Sequence, residues 1–105
     1  MITRDPILER FRTAIAELYG ARLERLVLFG SRARGDAQAD SDYDIAVFLT
    51  DFTSCAQEFR RVAAVELSIL DMTGATVRAM PFRAGSWRDP MSPLMYEIRK
   101  DGLDL

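Results

Sequence analysis

The sequence predicts a small domain of α/β class (α+β type) with the element order αβ(α)βαβα. Three observations carry that reading. Apolar residues recur at helical spacing over 8–18 and again over 59–70. Two short, nearly continuous apolar runs, over 26–29 and 43–49, have the length of strands rather than helices. Glycines, prolines and capping side chains stand at the joins between them. At 105 residues and 11.9 kDa the chain is one domain's worth, residues 1–105, with no repeat, low-complexity tract or linker.

Asp5-Pro6 opens the first helix, since Asp caps free N–H groups and Pro suits the first helical position. Leu8, Phe11, Ile15 and Leu18 form its apolar face and Gly20 its stop. The run 26–29 reads as a strand buried on both faces. Residues 30–42 are small, charged and glycine-punctuated: Ser31-Arg32-Ala33-Arg34 can start a short helix, and the rest reads as loop. Tyr43–Leu49 is the second strand. Ser54 with Gln57 makes a capping box for a long helix to about Met72, with Phe59, Ala63, Leu67 and Leu70 as its expected inner stripe. After Gly74, residues 75–82 read as a third strand. Val77 and Ala79 face one side, Thr76, Arg78 and Met80 the other, and Pro81 suits an end or edge. Ser92-Pro93 opens the last helix, with Leu94, Met95 and Ile98 inward and Gly102 as its stop.

Composition limits the chemistry. With 49% apolar and 29% charged residues the chain is that of a soluble globular protein. Fourteen basic and 16 acidic residues leave a net charge of −2, so no basic excess points to direct nucleic-acid binding. There is no histidine, which removes Ser-His-Asp and Cys-His catalysis, histidine-ligated zinc and imidazole proton shuttles. The single cysteine, Cys55, allows neither an intrachain disulfide nor a multi-cysteine metal site. No leader is visible in Met1–Pro6 and no stretch is long enough to span a membrane, so the expected location is cytoplasmic.

What remains is carboxylate chemistry, and one constellation supplies it. The first strand ends in Gly30-Ser31, and after ten further residues comes Asp42-Tyr43-Asp44. Residues two apart on a strand share a face, so Asp42 and Asp44 point together while Tyr43 turns to the core. Two like charges there call for a cation, and Mg2+ is commonly held by one or two carboxylates plus substrate phosphates. Gly30 permits close backbone approach, Ser31 can offer its hydroxyl to phosphate, and Arg32 and Arg34 add positive charge. The set suits metal-assisted transfer from a nucleoside triphosphate.

The run Gly30-Ser31-Arg32-Ala33-Arg34-Gly35-Asp36 followed by Ser41-Asp42-Tyr43-Asp44 resembles the minimal nucleotidyltransferases of the polymerase-β-like superfamily, small proteins often paired with HEPN-domain toxins. The resemblance extends over nearly the whole chain. It implies a small mixed sheet flanked by helices, with Gly30, Ser31 and Arg32 on the triphosphate of ATP and Asp42 and Asp44 as catalytic, Mg2+-binding residues. It further implies an antitoxin that transfers AMP from ATP to a toxin tyrosine. The chain departs from the pattern at one place. Relatives carry a third carboxylate on the following strand, where this chain has Arg78, able to pair with the aspartates or to hold a triphosphate. Asp51, Glu66 and Asp71 are the substitutes within reach in sequence. Two functions follow: a Mg2+-dependent transferase using ATP, or a nucleotidyltransferase-fold antitoxin that neutralises its toxin by stoichiometric binding. A transferase acting on small molecules needs an acceptor domain for which 105 residues leave no room, which favours a hetero-oligomer.

Overall fold

The computed structural model describes residues 5–105; Met1–Arg4, read above for a leader, lie outside the described residues. The first helix, α1 (Pro6–Tyr19), is capped by Asp5, whose Oδ1 accepts from the Ile7 N–H at 2.8 Å and the Leu8 N–H at 3.4 Å. Strand β1 (Leu23–Phe29) leads through Gly30 into the one-turn helix α2 (Ser31–Arg34), and β2 (Tyr43–Leu49) follows the charged loop. Next come α3 (Cys55–Thr73), β3 (Val77–Arg83), α4 (Pro93–Asp101) and the two-residue strand β4 (Leu103–Asp104). The sheet order is β3-β2-β1-β4; β2 runs antiparallel to β1 and parallel to β3, and β4 is antiparallel to β1. This is the mixed sheet flanked by helices that the family resemblance implies.

Alternation divides the sheet into two buried faces. Leu26, Leu28, Tyr43, Ile45, Val47 and Leu49 pack under α1 and α3. Val27, Ala46 and Phe48 lie on the other face under Met95 and Ile98 of α4. Phe48, an apolar side chain on the face away from Ile45 and Val47, is therefore covered by the C-terminal helix and fully buried. Its ring stacks on Phe82 with centroids 5.6 Å apart. Trp87 is half-buried beside this cluster, between the guanidinium groups of Arg25 and Arg88. Pro81 lies on β3, the sheet's edge, where a missing N–H costs no ladder bond. No helix among the described residues is long and apolar enough to cross a membrane.

Three expectations are corrected. Strand β1 begins at Leu23 rather than Leu26, and β4 is too short to carry any periodicity of its own. On α1, Leu18 is exposed and Tyr19 takes the inward place, because α3 packs on the Tyr19 side. On α3 the inner stripe is wrong: Glu58, Val62 and Ile69 are buried, while Phe59, Leu67 and Leu70 face solvent. The buried face contains a carboxylate, which an apolar periodicity scores as surface. Glu58 is held there by Arg22 at 2.6 Å, the Tyr19 hydroxyl at 2.9 Å and Arg61 at 3.1 Å. Burial alone would raise its pKa, but the hydrogen bonds from Arg22 and Tyr19 outweigh burial and hold it below the ordinary glutamate value.

Candidate functional site

The antiparallel pairing of β1 and β2 sets Phe29 opposite Asp44, so the chain leaves β1 at Gly30 directly beside that carboxylate. Gly30 has φ +76° and ψ −158°, and a Cβ there would lie 2.6 Å from Asp44 Oδ2. Only glycine fits both the backbone and the space. The Ala33 and Arg34 N–H groups both donate to the Gly30 carbonyl at 3.1 Å, closing the turn that starts α2 at Ser31.

The parallel register of β2 and β3 pairs Asp44 with Arg78. Arg78 Nη1 lies 3.2 Å from Asp42 Oδ2, and its Nε lies 3.6 Å from Asp44 Oδ1. The two aspartates and Arg78 thus meet at one end of the sheet, on the α4 side, with Gly30 beneath Asp44. The carboxylates are partly buried, whereas the Arg78 side chain is 68% exposed, so the pairing is cheap to break. Burial pushes the Asp44 carboxyl above its ordinary value; Arg78 pulls it back and the neighbouring Asp42 charge adds to the rise.

Arg32 is drawn away from the aspartates. Its guanidinium lies 4.0 Å from the centroid of the Tyr43 ring and donates to the Ser41 carbonyl at 2.8 and 3.1 Å and the Ala39 carbonyl at 3.2 Å. It shapes the loop that delivers Asp42. Tyr43 in turn donates to Asp5 Oδ2 at 2.8 Å, and burial together with that bond pushes its pKa up to about 12. Arg34 pairs with Asp36 at 3.2 Å on the loop. Sequence reading missed the Arg32–Tyr43–Asp5 chain; the cation–aromatic pair across 11 positions has no local signal.

The donor set fits one divalent cation. Two carboxylates on a common face leave positions for phosphate oxygens, the usual arrangement for Mg2+. It does not fit a three-carboxylate set, since no group of three or more acids stands together among the described residues. Asp51 lies beyond the far end of β2, Asp71 is exposed on α3, and Glu66 accepts the Ala79 N–H at 2.5 Å.

Comparison with known proteins adds ancestry to this geometry. The family model described as nucleotidyltransferase domain matches residues 8–89. The Methanocaldococcus jannaschii protein provisionally named protein adenylyltransferase MJ0141 is 31% identical over 52 residues, half of this chain and 52% of that protein. The chain thus spans about half the length of that curated relative. Among solved structures, a toxin–antitoxin crystallised with AMP-PNP superposes with a TM-score of 0.64 at 19% identity, over 91% of this chain and 70% of that one. A structure described as a minimal nucleotidyltransferase superposes at 0.57 with 24% identity, over 94% and 92% of the two chains. These likenesses establish a shared fold. The family match runs through Gly30, the aspartate pair and Arg78, and on it this chain belongs to the nucleotidyltransferase domain family.

Proposed function

We propose that the chain is a Mg2+-dependent nucleotidyltransferase that acts in the cytoplasm as the antitoxin of a HEPN-domain toxin, transferring AMP from ATP to a toxin tyrosine. The observation that carries it is the meeting of Asp42 and Asp44 on one sheet face directly beside the glycine turn of Gly30 and Ser31. Asp42 and Asp44 would hold Mg2+, which when bound offsets the negative charge of the triphosphate. Ser31 and the turn around it would take phosphate oxygens, and Arg32 would keep the loop before Asp42 in place. In the transfer the tyrosine oxygen bonds to the α-phosphorus, the bond to the β-phosphate oxygen breaks, pyrophosphate leaves, and the tyrosine proton passes to a carboxylate of the pair. The provisional adenylyltransferase name of the M. jannaschii relative and the toxin–antitoxin with AMP-PNP support this choice of nucleotide and partner.

A second reading, neutralisation by stoichiometric binding, is favoured by one observation. Arg78 lies across both aspartates, at the place where relatives are expected to carry a third acid. A positive charge at roughly 4 Å opposes a divalent cation by about 2–8 kcal/mol, depending on the local dielectric. Intact mass of the toxin after incubation with the chain, ATP and Mg2+ separates the two. Transfer adds one adenylyl group, and the Asp42→Asn/Asp44→Asn double variant loses both the modification and the protection. An unmodified toxin that the double variant still neutralises would establish binding alone. Arg78→Asp is then expected to raise transfer, by restoring a third carboxylate beside Asp44.

A further inference from the structure

The stripe Phe59, Ala63, Leu67 and Leu70 on α3 borders an open groove against β3 and lies outside the buried core. Phe59 and Leu70 are each 44% exposed and Leu67 is 64% exposed, along a helix whose opposite side packs on the sheet. The one acid within the stripe, Glu66, is turned aside to the β3 edge, where Oε2 accepts the Ala79 N–H. That contact has two effects. It leaves the stripe continuously apolar, and it occupies an edge donor. With Pro81 lacking an N–H two residues on, the edge is a poor template for an added strand. The surface therefore suits a packed helix.

The stripe and its flanking charges have a common centre. Phe59 and Leu70, Ala63 and Leu67, and the charged pair Arg60 and Asp71 all have midpoints within one residue of Val65. Arg60 and Asp71 lie on the same solvent-side flank, three turns apart, and neither makes a hydrogen bond or ion pair among the described residues. In an antiparallel pair of identical helices, like flanks meet, so a single two-fold axis at Val65 sets each Phe59 against the other copy's Leu70. The same axis sets each Arg60 against the other copy's Asp71. Such an isologous surface is self-complementary in both apolar contact and charge.

We propose that α3 is the interface of a two-fold homodimer, packed antiparallel about Val65 through the Phe59–Leu70 stripe. The inference is independent of whether nucleotide transfer occurs. Sedimentation equilibrium of the isolated full chain tests it. Wild type is expected to dimerise, Leu67→Asp to be monomeric with an unchanged circular dichroism spectrum, and Arg60→Glu and Asp71→Arg each to weaken the dimer at least tenfold. Charge geometry then makes a specific demand. An equimolar mixture of Arg60→Glu and Asp71→Arg chains, and the Arg60→Glu/Asp71→Arg double variant alone, both recover wild-type dimerisation, since both arrangements restore two opposite-charge pairs. A monomeric wild type overturns the proposal and leaves the stripe to another protein. A dimer that survives Leu67→Asp, or single variants not repaired by mixing, overturns the antiparallel register.

Discussion

Gly30 is the residue on which the site's geometry turns. A Cβ at position 30 would meet Asp44 Oδ2, and its backbone occupies a region that is essentially glycine's alone. Gly30→Ala is expected to lower stability by about 1–3 kcal/mol and to push Asp44 out of the face it shares with Asp42. Thermal melting together with ATP titration checks this; an unchanged melting temperature with unchanged nucleotide affinity would contradict the close approach. The motif Gly-Ser, ten residues, Asp-x-Asp was legible in sequence because it rests on local chain geometry. The place of Arg78 was also legible, since strand alternation puts it opposite the Val77 and Ala79 face. The actual partner of Arg32 was not: it was expected near phosphate, but a guanidinium seeks whatever carbonyls and ring the fold brings near, here Ser41, Ala39 and Tyr43.

At the scale of elements, α3 depends on a polar anchor. Glu58 ties the end of α1, through Tyr19, and the turn before β1, through Arg22, to the first turn of α3. Glu58→Gln keeps the shape but removes the charge that Arg22 and Arg61 pair with. It should cost about 1–3 kcal/mol, measured by denaturant unfolding at neutral pH. The sign of the pH dependence follows from the lowered carboxyl. The stabilisation is complete above the ordinary value of 4.5 and is lost as pH falls through the lower folded-state value. The difference between wild type and Glu58→Gln should therefore shrink as pH falls through that window; a difference that holds constant into acid would locate the stabilisation elsewhere. The same residue explains why the inner face of α3 was misread. Caps and stops are local, and Asp5, Ser54, Ser92, Gly20 and Gly74 mark helix ends where expected. Which face of an amphipathic helix turns inward depends on what it packs against, and a charged side chain can belong to that face when its partners are distant in sequence.

For the molecule as a whole, both faces of one sheet are covered, and the thinner cover is α4. Met95 and Ile98 alone from that helix are buried over Val27, Ala46 and Phe48. Phe48→Ala should cost about 3–5 kcal/mol by leaving a void under α4. That is a large part of the stability of a small domain, commonly about 5–15 kcal/mol. A loss of unfolding free energy below about 2 kcal/mol, measured by urea denaturation, would show that α4 collapses onto the gap instead. Tight closure is enforced at Gly102, where a Cβ would meet Val27 Cγ1 and the Ile98 carbonyl, so the chain can turn from α4 into β4 beside β1.

By itself the sequence determined the order of elements as far as α4, the spacing of Gly30-Ser31 to Asp42-x-Asp44 and the absence of histidine chemistry. Each rests on spacing along the chain, which period, capping and composition report directly. Only the tertiary structure decided that Arg78 bridges both aspartates, that Glu58 is buried and that the apolar stripe of α3 faces outward. Those outcomes depend on strand register and helix rotation, which are set by contacts between residues far apart in the chain.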